Sequence, residues 1–197
     1  MQIPVFLKKL NIILFFFFVL SAKAEAKNPS DFIAEVTSSA SNILSSNISK
    51  NDKIIKLQDI ATQSVDIKGI GMYTLGKYRK NLSDNQKKQY SELFEKYFLK
   101  SFASRLVEYA DPEIIVQSEE VLNKNYTIVK SILVATKDRP EIKIEWRVYT
   151  KNPNQPLIRD LIIEGLSLAR TQKEEFNSVI QSNDGDINAL FLNLKNF

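Results

Sequence analysis

The side chains that spacing brings closest together are acidic. Glu119-Glu120 and Glu174-Glu175 are adjacent carboxylates, the residue types that divide general acid and general base duties when one pKa is raised. Neighbours on a strand or helix point in different directions, so neither pair is placed to act on one bond. Lys77, Arg79, Lys80, Lys87 and Lys88 form a loose basic cluster. Such a cluster serves either as a solvated helix face or as a seat for an anionic headgroup or an acidic partner. Gly69-Ile70-Gly71 opens like a dinucleotide loop, but the next glycine is Gly76 and no expected strand feeds it. The fingerprint fails on spacing and on context.

Two absences exclude more chemistry than these clusters offer. The 197 residues contain no His and no Cys. That removes Ser-His-Asp and Cys-His nucleophiles, imidazole metal ligands, zinc-thiolate and iron–sulfur sites, and disulfides. A metal site is not expected. With 44% hydrophobic and 25% charged residues, the chain has the composition of a folded globular protein.

The start of the chain reads as an address. Lys8 and Lys9 precede the uncharged run Ile12 to Leu20, followed by Ser21-Ala22-Lys23-Ala24. A basic stretch, a nine-residue apolar stretch and an A-x-A site read as a cleaved Sec-type signal peptide over residues 1–24, the alternative being an uncleaved interfacial anchor. The run is too short to span a bilayer, which needs about 20 apolar residues. Cleavage falls after Ala24 or after Ala26. No Cys follows, which excludes a bacterial lipoprotein. The three lysines of this segment account for three of the four net positive charges, leaving +1 on residues 25–197. A chain so nearly neutral, with no long basic run, has no field for nucleic acid.

The rest must position whatever the protein binds. Asn28-Pro29 pairs a capping residue with proline at the first helical position, and Phe32, Val36, Ala40, Ile43 and Leu44 follow at helical spacing. Asn51-Asp52 can start a second helix. Residues 66–80 hold three glycines, so a helix there depends on packing by Met72, Leu75 and Tyr78. Ser83-Asp84-Asn85-Gln86 is a capping box opening a helix over 84–108. Its stripe is bulky: Tyr90, Leu93, Phe94, Tyr97, Phe98, Phe102, Arg105 and Leu106. This face is either core or the wall of a ligand cavity.

At Asp111-Pro112 the period switches to strands. These are expected at 114–117, 126–136, 142–149 and 157–164, with Ile142, Ile144, Trp146 and Val148 alternating with polar neighbours. Short gaps argue for antiparallel pairing. Helices return after Gly165. The expectation is a single α+β domain over residues 25–197, with a curved antiparallel sheet of about four strands and N- and C-terminal helices packed on one face.

Two stretches carry a family likeness. One runs from Val65-Asp66-Ile67 through Leu75-Gly76-Lys77-Tyr78-Arg79 to Leu82-Ser83. The other is Asp160 through Glu164-Gly165-Leu166-Ser167-Leu168, followed by Thr171 to Phe176. Together they resemble the MlaC family, toluene-tolerance-type periplasmic auxiliary proteins of a phospholipid ABC transport system. Family members often carry Trp where Arg79 stands and Arg where Lys173 stands.

The resemblance implies a non-enzymatic, monomeric lipid carrier that needs no cofactor. Its partners would be a phospholipid, an outer-membrane lipoprotein–porin complex and an inner-membrane MCE-domain ABC transporter complex, and its task would be to maintain outer-membrane lipid asymmetry. The acyl chains would lie in an apolar cavity between sheet and helices. The residues expected to line it are Met72, Leu75, Phe94, Phe98 and Phe102 on helices, and Ile132, Val134, Ile144, Trp146, Val148, Leu161 and Ile163 on strands. Lys77 and Arg79 are the expected headgroup or partner contacts. The alternatives are an exported chaperone or adaptor without a lipid, and a carboxylate-based lipid hydrolase.

Overall fold

The computed structural model describes residues 27–109 and 111–197. The expected signal segment and both cleavage positions lie outside the described residues. The chain forms helices α1 (Pro29–Ser45), α2 (Lys50–Ser64), α3 (Ile67–Thr74) and α4 (Asp84–Leu106). Strands β1 (Ile114–Asn123), β2 (Tyr126–Leu133), β3 (Ile142–Tyr149), β4 (Leu157–Ile163) and β5 (Leu166–Ser167) follow. Helices α5 (Leu168–Gln181) and α6 (Ile187–Asn196) close it. This is an α+β fold with one open antiparallel sheet in the order β1-β2-β3-β4-β5.

The helix starts follow local chemistry. The Asn28 side chain accepts from the Ser30 and Asp31 amides, and Pro29 occupies the first position. The Ser83–Gln86 capping box is complete. Helix α2 begins earlier than Asn51-Asp52, because Ser49 accepts from the Asp52 amide and caps it. The glycine-rich stretch is two pieces, α3 and a 3-10 turn Gly76–Lys80. Gly76 sits at φ +53°, the left-handed conformation that ends a helix.

The sheet departs from expectation at its edges. Strand β1 runs six residues past Gln117 to Asn123. It is an edge strand whose later residues are exposed, so backbone pairing to β2 extends it without an apolar pattern. Strand β2 stops at Leu133 rather than Thr136. Val134 makes a last ladder bond to the Glu113 carbonyl, and Thr136 then donates to the Arg139 carbonyl, turning the chain. The fifth strand is a two-residue return through Glu164 (φ +48°) and Gly165 (φ +82°), the geometry of a tight hairpin. Register shifts at Val116/Ser118, Val121/Asn123 and Arg147/Val148 bend the sheet.

The core is divided. One cluster joins α3, α4, α5 and α6 around Leu75, Tyr90, Phe94, Phe176 and Leu190. A second sets Phe32 and Ile33 of α1 against Val129, Val148 and Ile158 of the sheet. A third ties α1, α2 and α4 through Leu44, Leu57 and Ala103. Helix α4 packs chiefly on α2, α3 and α6, with no strand among its main partners.

Candidate functional site

Strand pairing decides which apolar side chains share a face. Trp146 lies opposite Val129 and Leu161, and Ile144 opposite Ser131 and Ile163. Successive residues alternate faces, so Ile144, Trp146, Val148, Leu161 and Ile163 form one patch. Val148 is fully buried under α1, whereas Trp146, Leu161 and Ile163 remain half-buried. The Trp146 indole Nε1 donates to Ser131 Oγ at 2.8 Å, which fixes the ring. Ile132 does not join them. It pairs with Lys143 and faces the other side of the sheet. Val134 lies beyond the end of β2. Arg147 shares that opposite side and sits 3.5 Å from Asp160.

The helical residues divide in the same way. Leu75 and Phe94 are 1% and 2% exposed and lie at the centre of the helical cluster. A Cβ on Gly71 would stand 2.8 Å from Phe94 Cδ1, so glycine is what lets α3 approach α4. Phe94 touches the rings of Tyr90, Tyr97, Phe98 and Phe176. Met72 and Phe98 are half-buried at the rim of this cluster. Phe102 is also half-buried, its ring parallel to Phe98 with centroids 5.6 Å apart. Phe98 and Phe102 therefore extend the aromatic stripe outwards, while Phe94 closes it inwards. Apart from Ile132 and Val134, the structure places the expected residues on two separate apolar walls and gathers them into no single cluster.

Val65 is packed against both the helical and the sheet clusters. It bridges to Ile158, and the next amide, Asp66, donates to the Ile158 carbonyl. Directly over this seam lies an open cleft of about 650 Å³. Its apolar lining is Val65, Ile67 and Leu157, and its polar lining includes Lys68, Glu95 and Gln155. Lys77 and Arg79 are exposed on the 3-10 turn and line no part of it.

An ionic clamp stands beside the cleft. Arg159 Nε donates to Asp66 Oδ2, its Nη1 donates to the Tyr126 hydroxyl at 2.6 Å, and its Cζ lies over the Tyr149 ring, 3.7 Å from the centroid. Burial works against the Arg159 charge. The hydrogen bonds to Tyr126 and Asp66 outweigh it, and the pKa is raised. Asp66 also caps α3 by accepting from the Gly69 amide. Elsewhere, burial raises the Tyr97 hydroxyl, with the charge of Glu175 adding to the effect. Among the described residues no group of three or more acidic side chains is placed to hold a metal ion.

The residues around the cleft carried no chemical signal in the sequence. Lys68, Glu95 and Gln155 come from three distant segments, and Asp66 and Arg159 stand 93 residues apart. The acidic pair Glu119-Glu120 is split between two partners, Ser30 and Lys130, as expected of neighbours on a strand.

Among solved structures, the fold is similar to that of a phospholipid-binding protein from Ralstonia solanacearum, solved in complex with a phospholipid. The TM-score is 0.73 at 18% identity, covering 86% of this chain and 96% of that one. No helix among the described residues is long and apolar enough to cross a membrane. The sequence matches the MlaC protein family over residues 33–196. A match spanning both walls, the seam between them and the ionic clamp beside it places this chain in the MlaC family.

Proposed function

We propose that this chain is a periplasmic phospholipid carrier that shuttles lipid between an outer-membrane lipoprotein–porin complex and an inner-membrane MCE-domain ABC transporter complex. The observation that carries the reading is the divided core. Phe98 and Phe102 at the outer end of the α4 stripe and Trp146, Leu161 and Ile163 of the sheet are half-buried, and Phe98 and Trp146 pack against different clusters. In this reading the acyl chains lie against both. Family membership and the fold shared with a phospholipid-binding protein support the same reading.

The energetics require such a wall. Each buried CH₂ is worth about 0.8 kcal/mol, so two acyl chains of roughly 30 such groups lose on the order of 20 kcal/mol when forced into water. A carrier must match most of that with its own apolar surface and exchange its cargo while docked. Phe98, Phe102, Trp146, Leu161 and Ile163 supply that surface in this reading. Leu75, Phe94 and Val148 back it as core. Nothing in the scheme calls for a bond to be made or broken, so the protein is not an enzyme. Residues 1–24 direct export and residues 25–197 form one carrier domain.

Native mass spectrometry of protein purified from a bacterial periplasm without detergent tests this. A discrete adduct of phospholipid mass, about one per chain, is expected. A clean apo mass that persists after incubation with liposomes overturns the carrier and leaves an exported interaction module.

A further inference from the structure

Strand β1 stands at one end of the sheet order, so one of its edges has no partner strand. The Val134 amide donates to the Glu113 carbonyl, and the same register continues through Ile114↔Leu133, Ile115↔Ile132 and Val116↔Ser131. In an antiparallel pair, successive residues turn their backbone groups to opposite edges. Glu113 and Ile115 therefore face β2, and the N–H and C=O groups of Ile114 and Val116 face the open edge. Among the described residues, no loop, helix or side chain hydrogen-bonds to these groups.

The free groups border a groove of about 400 Å³. Ala34, Ser38 and Ser41 of α1 line one side, and the chain from Asp111 to Ile114, with Val116, lines the other. Among the described residues none from β2 lines it, so it opens on the free-edge side of the sheet. Ala34, Ser38 and Ser41 stand at i, i+4 and i+7, and their small side chains keep this flank of the helix low. Ser41 Oγ donates to the Pro112 carbonyl at 2.7 Å, and Ser45 Oγ to Asp111 Oδ1 at 2.6 Å. These bonds hold the chain entering β1 against α1 and fix the width of the groove.

The rest of the edge is guarded. The register shifts between Val116 and Ser118, and Glu119 and Glu120 follow. Bulges and charges are the usual protection of an exposed strand, and within β1 the stretch beside the groove carries neither. A free backbone edge beside a groove is what an extended peptide needs to add itself as a further strand. Charge selects among such peptides. Asp111 and Glu113 are exposed on the groove, no basic residue lines it, and neither carboxylate has an ion pair among the described residues.

We propose that the β1 edge docks an extended segment of a partner protein, about four residues long, pairing with the backbone of Ile114 and Val116. Small or β-branched side chains of that segment lie against α1, and an arginine or lysine lies beside Asp111 and Glu113. The groove shares no lining residue with the apolar walls expected to hold lipid.

The test titrates isotope-labelled protein with a pool of end-blocked tetrapeptides carrying one Arg among Ala, Val and Thr, and follows the backbone amides by NMR. The Ile114 and Val116 amides are expected to shift downfield and to gain protection from exchange. The same pool with Glu in place of Arg should bind about fivefold more weakly. Glu113→Lys should reverse that order. Ile114→Pro removes an outward donor that the ladder to β2 does not use, and should weaken the Arg pool by up to about tenfold. Ser38→Trp fills the groove from an exposed helix position and should abolish binding. Unchanged circular dichroism confirms that the variants fold.

Ile114 and Val116 amides left unmoved by the Arg pool overturn the docking site. Equal binding of the Arg and Glu pools overturns the basic partner. Shifts of these amides on raising the protein concentration alone mean that a second copy occupies the edge, and they overturn the proposal as well. None of these results bears on the carrier, which native mass spectrometry tests separately.

Discussion

Arg159 of β4 and Asp66, the cap of α3, meet in an ion pair across 93 residues of chain. This contact ties the helical layer to the sheet at the point where the core is divided. Both partners are mostly buried, at 30% and 16% side-chain exposure, so removing one leaves the other poorly solvated. Asp66→Asn keeps an acceptor for the Gly69 amide but loses the pair, and is expected to cost about 2 kcal/mol. Asp66→Ala also loses the cap, for about 1 kcal/mol more. Arg159→Lys should not rescue, since an ammonium cannot both stack on Tyr149 and reach Tyr126 and Asp66. Urea unfolding of the three variants measures the series.

Trp146 is the only tryptophan in the chain and lies in the half-buried sheet patch. It is therefore a built-in probe of the proposed chamber. Loading with a phospholipid brominated along its acyl chain should quench its fluorescence strongly, because quenching by bromine requires near contact. The unbrominated lipid should instead shift the emission to the blue. Emission indifferent to brominated chains would place the lipid away from the Trp146, Leu161 and Ile163 wall.

Phe94 and Phe102 belong to one aromatic stripe and should behave differently. Phe94 is enclosed on all sides, so Phe94→Ala is expected to destabilise by about 3–5 kcal/mol. Phe102 is half-buried at the outer end of the stripe, and Phe102→Ala should cost only about 1 kcal/mol. Phe102→Glu places a charge where an acyl chain must lie. It should leave a folded protein that retains severalfold less lipid. Thermal unfolding alongside lipid extraction separates the two roles.

These assignments show where the sequence was legible and where it was not. Helix starts were legible because capping is local: Asn28-Pro29 and Ser83 with Gln86 complete their bonds within four residues. The alternation of β3 was legible because its polar and apolar residues differ so clearly. The second half of β2 is apolar on both faces, so Ile132 could be placed only once its pairing with Lys143 was known. Phe94 and Phe102 sit in the same sequence pattern, and only packing against α3 and α5 makes one of them core. The cleft was hidden for the same reason. Lys68, Glu95 and Gln155 have ordinary surface identities, and their proximity is created by long-range contacts.

Tyr90 is fully buried beneath the aromatic stripe, its hydroxyl 2.8 Å from Thr74 Oγ1. Burial holds its pKa well above the usual tyrosine range, and Tyr97 is shifted the same way by burial and by Glu175. An unfolded tyrosine ionises near pH 10. Above that pH the unfolded chain has released a proton that the folded chain still holds, so stability falls as pH rises. The contribution is fully present below about pH 10 and declines in the alkaline range above it. Tyr90→Phe removes the larger of the two shifts while Thr74 keeps its bond to the Gly71 carbonyl. Its unfolding free energy should therefore decline less steeply than that of wild type between about pH 10 and 11.5. Equal slopes in urea titrations across that range would mean that Tyr90 is accessible to hydroxide and that the helical cluster is looser than its packing indicates.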